Sequence, residues 1–315
     1  MSPTGTRAGQ AAPLTSSPPP VPNVLVTFPI PHVMLVTLNR PAQLNAIPTT
    51  QHPFLLQLFN WYDAEPHLRA AVITGTGRAF CAGADLKEWH DNNDAAAKSS
   101  ASPVRNPASI IKSIAAPKPA DTARPTPAQK WPADGGFGGI SNRRGKKPII
   151  AAVNGLCLGG GFEMVVNTDL IYALESAKFG LPEVTRGVVA IAGALPRLIR
   201  TLGRQRASEM SILGGMYTAR QMEAWGIVNE VIEGDRDALI KRVLDVAAKL
   251  ADNSPDAVIV TREGLLAGWA AEDPQPATNR VEGTIYKAME GADNMREGVL
   301  SFVEKRKAVW KDSKL

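Results

Sequence analysis

The chain has 315 residues, of which 44% are hydrophobic and 21% are charged, an ordinary composition for a folded protein with a sizeable core. No stretch approaches the ~20 consecutive apolar residues that a membrane-spanning helix needs, so we expect no membrane partner. The net charge of +5 is spread along the chain without the interleaved aromatic residues of a nucleic-acid-binding surface, which argues against a nucleic-acid partner.

The N-terminal part predicts a tail followed by a hairpin. Residues 1–20 carry Arg7 as their only charged side chain and have no long apolar run, so they resemble no secretory signal and are predicted to be disordered. From Val24 to Leu38, two runs of β-forming residues, VLVTF and VMLVTL, flank a proline-containing turn and predict a hairpin. The apolar pattern from Leu55 to Tyr62 predicts a helix.

Strands and helices then alternate, which indicates an α/β core over residues 21–235. Short apolar runs at 70–74 (AAVIT) and 148–153 (PIIAAV) are followed by glycine and predict buried strands that enter functional loops. Residues 92–145 differ, because they are rich in proline, glycine and serine and contain a Gly-Gly-Phe-Gly-Gly tract. They are predicted to form an insertion or lid outside the core, with a short helix near 109–115.

The C-terminal part, residues 236–312, predicts a helical region. Apolar residues recur at three- and four-residue steps over 239–251, and Ser254 with Pro255 provides an N-cap and a first-turn proline for a second helix. A last helix is predicted from about Met295 through Trp310.

The final tripeptide is Ser313-Lys314-Leu315, which a peroxisomal import receptor reads at a free carboxyl terminus. On average residue usage, chance would place these three residues there about once in several thousand chains. The sequence therefore predicts a peroxisomal protein that binds this receptor.

The two cysteines, Cys81 and Cys157, lie in runs of alanine and glycine, where a small buried side chain is useful. A single disulfide in a chain of this length would be a weak signal. We therefore expect both to be free thiols in the core.

The first motif with chemical potential is CAGADLK at 81–87, which follows a predicted strand. Its small residues let the backbone approach a ligand closely, and a following helix would leave the amide of Ala84 free to donate a hydrogen bond. Taken alone, the motif favours a tight structural turn over a binding site.

The second motif, NGLCLGGGFE at 154–163, reads as a strand, a glycine-rich loop and the start of a helix. Unpaired N–H groups at such a helix start suit an oxygen that gains negative charge. A phosphate loop is the competing interpretation, but the Gly-Lys-Ser/Thr ending of a P-loop is missing, as is the spacing of a dinucleotide fingerprint.

The third motif, FGLPEVTRG at 179–187, places Glu183 in a proline-fixed turn, 20 positions after Glu163. Apolar neighbours surround Glu163 in the sequence, and burial would raise its pKa toward the range that is useful for proton transfer. A solvated glutamate at a helix start is the alternative for this residue.

Three phrases in this order, AFCAGADL, KPIIAAVNGLCLGGGFE and FGLPEVTRG, resemble the enoyl-CoA hydratase/isomerase (crotonase) family. The likeness runs from the first hairpin to the final helix and leaves out the N-terminal tail and the 92–145 insertion. It implies a crotonase-like spiral of ββα units, a helical C-terminal trimerisation region and a homotrimer or homohexamer.

The resemblance also implies a site. The N–H groups of Ala84 and Gly160 would form an oxyanion hole for the thioester carbonyl, while Glu183 and Glu163 would exchange protons with the α-carbon and with water. No metal or redox cofactor is implied, because coenzyme A is part of the substrate. Binding of the acyl-CoA is implied for Ala82, Ala84, Asp85, Leu86, Lys87 and Gly160, and for Phe302 and Lys305 of the last helix.

Reversible hydration of a 2-enoyl-CoA is accordingly the predicted reaction, since isomerases and hydrolases of the family often lack one of the two glutamates. The segment 189–194 (VAIAGA) departs from the isoleucine-proline-glycine-alanine-glycine-glycine type run usual in the family, so the acyl pocket is expected to differ. The alternatives are a hydratase for a branched or hydroxylated acyl-CoA, as in fungal peroxisomal relatives serving siderophore or toxin acyl groups, or of the carnitinyl type. An isomerase and an RNA-binding protein on the same scaffold are further alternatives.

Overall fold

A computed structural model describes residues 14–85, 88, 134–270 and 272–315. Its larger sheet has six strands in the order β1-β2-β3-β5-β7-β10. The β1/β2 pair is the predicted antiparallel hairpin, and every other neighbouring pair in this sheet is parallel. These strands are β1 (Val24–Ile30), β2 (Val33–Leu38), β3 (Ala70–Gly75), β5 (Ile149–Val153), β7 (Leu170–Leu174) and β10 (Glu230–Ile232).

A smaller sheet has four short strands in the order β4-β6-β8-β9. The first three are mutually parallel, and β8 pairs with β9 in the antiparallel sense. Each comes directly after a strand of the larger sheet or precedes a helix, so the chain repeats a strand, a second strand and a helix. This is the expected spiral of ββα units. The strands are β4 (Ala79–Cys81), β6 (Leu156–Leu158), β8 (Lys178–Gly180) and β9 (Met216–Thr218).

Helices cover the larger sheet on one face and form the C-terminal region. The third helix is interrupted at Gly203, where φ is 73°. A π-helical turn, Glu282–Tyr286, precedes the eighth. The helices of the described part are α1 (His52–Ala64), α2 (Gly160–Val165), α3 (Ala194–Leu213), α4 (Ala219–Ala224), α5 (Arg236–Ala251), α6 (Pro255–Trp269), α7 (Pro274–Val281), α8 (Lys287–Met289) and α9 (Asp293–Val303).

The parallel strands are buried on both faces, which explains their nearly continuous apolar sequences. Along β3, Ala71 and Ile73 face the main core, whereas Ala70 and Val72 face a second core that α5 completes. Side chains of a strand alternate between its two faces, so one short run supplies both layers. Within the described residues, no helix is long and apolar enough to cross a membrane.

Cys81 and Cys157 are register partners in the parallel β4/β6 pair, and both are buried free thiols, as predicted. Burial raises the pKa of the Cys81 thiol to about 12, and it raises that of Cys157 as well. Such thiols behave as small apolar side chains that fill the space between strands.

The prediction of an insertion over residues 92–145 is wrong for its last part. Residues 92–133, including the predicted short helix, lie outside the described residues, but Gly135–Gly139 is buried against α1 and α2. A Cβ on Gly138 would lie 2.0 Å from the sulfur of Met164. Glycine is required here for close packing, although its abundance had suggested a segment outside the core.

The predicted N-terminal tail also ends earlier than expected. Residues 1–13 lie outside the described part, but Thr15 Oγ1 donates a hydrogen bond of 2.6 Å to Glu65 Oε2. The indole N–H of Trp61 donates to Ser16 Oγ over 2.8 Å. The polar residues of this segment are exposed, but their hydrogen bonds attach the segment to the C-terminal end of α1.

The last helix begins near its predicted start but ends at Val303, well before Trp310. Lys305 has a φ of 54°, which turns the chain back, and Trp310 donates its indole N–H to the carbonyl of Asp252. The prediction that the helix continues to Trp310 was wrong. Trp310 lies on a tail that turns back after the helix, so its place in the apolar pattern does not mean that it belongs to α9. Leu315 lies at the end of that tail, and its backbone oxygen accepts a hydrogen bond of 2.9 Å from Lys146 Nζ.

Candidate active site

Three loops with the predicted motifs leave the smaller sheet side by side. They follow β4, β6 and β8, which are parallel neighbours, so their carboxyl ends lie at one edge. Ligands of open α/β sheets bind at this edge. Segments separated by about a hundred residues in the sequence therefore meet in one place, as the family resemblance implied.

The first two loops touch each other and present the expected pair of amides. A Cβ on Gly83 would lie 3.1 Å from the backbone nitrogen of Gly160, so only a glycine with its φ of 95° lets the loops approach this closely. Neither the N–H of Ala84 nor that of Gly160 donates a hydrogen bond to any residue that the structure describes. Both donors are thus available to one ligand oxygen.

Glu163 lies on α2 and is only 3% exposed. Its Oε1 accepts a hydrogen bond of 3.2 Å from the backbone N–H of Ala194, at the start of α3. Burial and, to a smaller extent, the charge of Glu183 raise the pKa of its carboxyl group to about 7, against the lowering by backbone hydrogen bonds. A carboxyl group with this pKa can both accept and donate a proton near neutral pH.

Glu183 lies in the 3₁₀ turn Pro182–Arg186 and is half-buried. Burial raises the pKa of this carboxyl group too. Its Oε2 is buried and has no hydrogen-bond partner among the described atoms. A Cβ on Gly159 would lie 3.0 Å from Oε1, so the glycine-rich loop leaves the space that this carboxylate occupies.

A cavity of about 100 Å³ gathers these groups. Its wall also includes residues that sequence reasoning did not assign to the site, among them Phe137 and Arg186. Phe137 belongs to the tract that was predicted to lie outside the core. The sequence signal for its burial was the run of glycines around it, which permits close packing. The predicted site residues on the wall are Ala82, Ala84, Gly160, Glu163 and Glu183, joined by Val189 from the segment that departs from the family pattern and by Val188 before it.

Three other predicted substrate-binding residues that the structure describes, Asp85, Phe302 and Lys305, are not among the residues that line this cavity. Asp85 is at its edge and forms an ion pair of 3.1 Å with Arg40. Phe302 is 86% exposed at the end of α9, and Lys305 lies beyond that helix and not on it. Leu86 and Lys87 lie outside the described residues.

A sequence model of the family described as enoyl-CoA hydratase/isomerase matches residues 31–118 and 141–313. The chain belongs to this family. The match covers well over half of the chain and includes all three motifs.

Several members of the family are similar over nearly their whole length. Mevalonyl-coenzyme A hydratase SIDH of Beauveria bassiana is 54% identical, with 96% of this chain and 99% of that protein covered. Mevalonyl-coenzyme A hydratase sidH of Aspergillus fumigatus is 44% identical over the same shares. A crystal structure of enoyl-CoA hydratase from Mycobacterium tuberculosis superposes with a TM-score of 0.75 at 26% identity, covering 93% of this chain and all of that one.

Site and family together make this chain a hydro-lyase that acts on acyl-CoA thioesters. The predicted crotonase-like fold is confirmed, as is the predicted hydratase reaction. The identity of the acyl group is a finer question.

Proposed function

We propose that this hydratase acts on a branched acyl-CoA that carries a hydroxyl and a methyl group on C3, with mevalonyl-CoA as the best candidate. The observation that carries the proposal is the 54% identity with a mevalonyl-coenzyme A hydratase across almost the full length of both chains. A mevalonyl group has a second hydroxyl on C5, so its dehydration yields a 3-methyl-branched 2-enoyl thioester with a hydroxyl at its end.

The oxyanion hole carries the electrostatic part of the mechanism. The thioester oxygen binds between the N–H groups of Ala84 and Gly160, which stabilise the negative charge that develops when the α-carbon loses a proton. A preorganised donor of this kind typically contributes ~10²–10³ in rate. The proposed mechanism needs no metal or redox cofactor, because the thioester itself polarises the α-carbon.

The two glutamates carry the proton transfers. In dehydration, the Glu183 carboxylate removes the proton from C2, and Glu163 gives its proton to the hydroxyl that leaves C3 as water. The C2–H and C3–O bonds break while the C2=C3 double bond forms. In hydration the roles reverse: Glu163 takes a proton from the attacking water and Glu183 protonates C2.

The test is a comparison of acyl-CoA substrates with the purified enzyme. We expect kcat/KM for dehydration of mevalonyl-CoA to exceed that for the unbranched 3-hydroxybutyryl-CoA by ~10-fold or more, since a hydrophobic pocket discriminates a missing carbon by roughly this factor. Formation of the conjugated thioester is followed by its absorbance. Equal or better turnover of the unbranched substrate, or of crotonyl-CoA in hydration, would contradict the proposal.

We further propose that the enzyme is a homotrimer or a pair of trimers that forms through its helical C-terminal region. The support is a group of exposed large apolar side chains on α9, a feature typical of protein interfaces. In the assembly, Phe302 and Lys305 would approach the coenzyme A moiety of a neighbouring subunit's substrate. Light scattering on the purified protein measures the subunit number. The exposed side chains are Val299, Leu300, Phe302 and Val303.

The terminal tripeptide supports a peroxisomal location with recognition by the import receptor. In the folded chain Ser313 Oγ is hydrogen-bonded to Asp256, and the oxygen of Leu315 is bonded to Lys146. Lys314 between them is exposed. For the receptor to bind the terminus, these two contacts must open.

A further inference from the structure

A second cavity, of about 290 Å³, adjoins the one that holds the catalytic groups. Glu183 and Val189 line both, so the two cavities meet at these side chains. Residues from both halves of α3 and from the segment before it form the wall. The wall is mainly apolar and consists of Leu181, Val184, Ala190, Leu195, Ile199, Ala207 and Ile212, together with Ser208 and Ser211.

One polar atom in this wall is unpaired. The Oγ of Ser211 is buried and has no hydrogen-bond partner among the described atoms. A buried hydroxyl without a partner is unfavourable and therefore uncommon in native proteins. Helical serines and threonines usually bond the carbonyl four residues earlier, and Thr201 on the same helix does so with Arg197 over 3.1 Å. Ser211 makes no such bond.

Ser211, with its unpaired hydroxyl, and Glu183, with its carboxyl group, therefore line the same cavity. Glu183 Oε2 is the other buried unpaired oxygen there, and its partner is the α-proton of the substrate. An acyl group whose C2 reacts at Glu183 can extend its later carbons past this side chain into the adjoining apolar cavity. A hydroxyl further along that chain would find Ser211 as a partner.

Resting on the proposed function, we infer that Ser211 is a specificity-determining residue that hydrogen-bonds the distal hydroxyl of a hydroxylated acyl chain. The apolar wall accepts the methyl branch and methylene groups, and the Ser211 hydroxyl selects for the C5 hydroxyl of a mevalonyl group. An acyl chain that lacks this hydroxyl leaves Ser211 unpaired in the complex, which is how a site built for a hydroxyl rejects an analogue without one.

The experiment compares two substrates that differ only at C5: mevalonyl-CoA and 3-hydroxy-3-methylpentanoyl-CoA, which has the same branch but no second hydroxyl. For the wild-type enzyme, we expect kcat/KM to favour mevalonyl-CoA by ~10-fold or more. In Ser211→Ala this ratio should fall toward one. Ser211→Thr, which keeps a hydroxyl, should retain part of the preference, and Ser208→Ala, on the same wall, should retain all of it. Thermal unfolding verifies that each variant is folded.

The outcomes separate the inference from the proposed function. If wild type converts both substrates equally well, or if Ser211→Ala keeps the wild-type ratio, the role of Ser211 is refuted while the branched substrate stands. A lost preference in Ser208→Ala instead of Ser211→Ala would also refute it. If wild type prefers the unbranched 3-hydroxybutyryl-CoA to both, the proposed function itself fails.

Discussion

The carboxylate of Glu163 accepts a hydrogen bond from the backbone N–H of Ala194, the first residue of α3. This bond connects the proposed catalytic carboxyl group directly to the segment 189–194, whose sequence departs from the family's usual pattern. The same segment also supplies Val189 to the cavity wall, next to Val188. Because the donor is a backbone N–H, side chains of this segment can change the lining of the acyl pocket while the hydrogen bond to Glu163 is kept.

The pH profile of kcat/KM should be bell-shaped in both directions of the reaction. One glutamate must hold a proton while the other accepts one, so only the singly protonated pair is active. Activity should fall as pH rises through about 7, where Glu163 loses its proton. It should fall again in acid, below the raised pKa of Glu183, when both groups are protonated. A rate that stays constant from about pH 6 to about pH 9 would contradict these protonation states.

The raised pKa of Glu163 also makes stability depend on pH. The folded state holds this proton up to about pH 7, whereas the unfolded chain loses it near the ordinary glutamate pKa of 4.5. The native state therefore binds more protons in this window, and its stability falls as pH rises through it. The full loss corresponds to ~3 kcal/mol, from the difference between these two pKa values.

The Glu163→Gln variant has no carboxyl group to titrate at this position, so it does not lose stability in this way as pH rises. Relative to wild type, its free energy of unfolding in urea should therefore increase by up to ~3 kcal/mol between about pH 5 and about pH 8. Glu282→Gln, on an exposed turn, is the control and should follow wild type at both pH values. If the free energy of unfolding of Glu163→Gln changed with pH in the same way as that of wild type, the buried carboxyl group would not contribute this pH dependence.

Gly159→Ala should lower kcat by ~10-fold or more, because its Cβ would lie 3.0 Å from Glu183 Oε1 and displace the carboxylate. Gly226→Ala is the matched control, since it also has a positive φ, of 81°, but nothing within 4 Å of the added Cβ. Alanine is strained at a positive φ in both variants, and Gly159, with a ψ of −130°, also lies outside the left-handed helical region. Steady-state kinetics and thermal unfolding compare them, and equal kcat values would argue against the crowding.

Removal of Leu315 should leave the protein in the cytosol, because the import receptor requires the complete terminal tripeptide. The protein is imaged with a fluorescent domain fused to its N-terminus, which keeps the carboxyl terminus free. Lys146→Ala is the control: it removes the hydrogen bond to Leu315 but keeps the tripeptide, so import should continue. Unchanged import without Leu315 would mean that the tripeptide is incidental.

Much of the site could be predicted because it depends on local sequence at strand ends. The loops with Ala84, Gly160 and Glu183 follow parallel neighbours, so their motifs meet wherever that sheet forms. The high pKa of Glu163 followed from its apolar neighbours, which the structure places in the core together with it.

Features that depend on long-range packing could not be predicted. Phe137 enters the site through a glycine tract whose composition resembles that of a loop outside the core, and only its contact partners show why glycine is there. Trp310 fits the helical period of α9, but the left-handed turn at Lys305 sends it to Asp252. Ser211 carries no sequence signal, because a serine in an amphipathic helix ordinarily faces solvent or its own backbone.

The central claim is that two carboxyl groups and two backbone amides act on one thioester, and the most direct measurement is kcat together with acyl-CoA binding in Glu163→Gln and Glu183→Gln. Each substitution keeps the shape of the side chain but removes its proton chemistry. We predict that kcat falls by ~10² or more in each variant. Calorimetry should show acyl-CoA affinity within about threefold of wild type, since the amides of Ala84 and Gly160 are unchanged. Near-wild-type turnover in either variant would contradict the account.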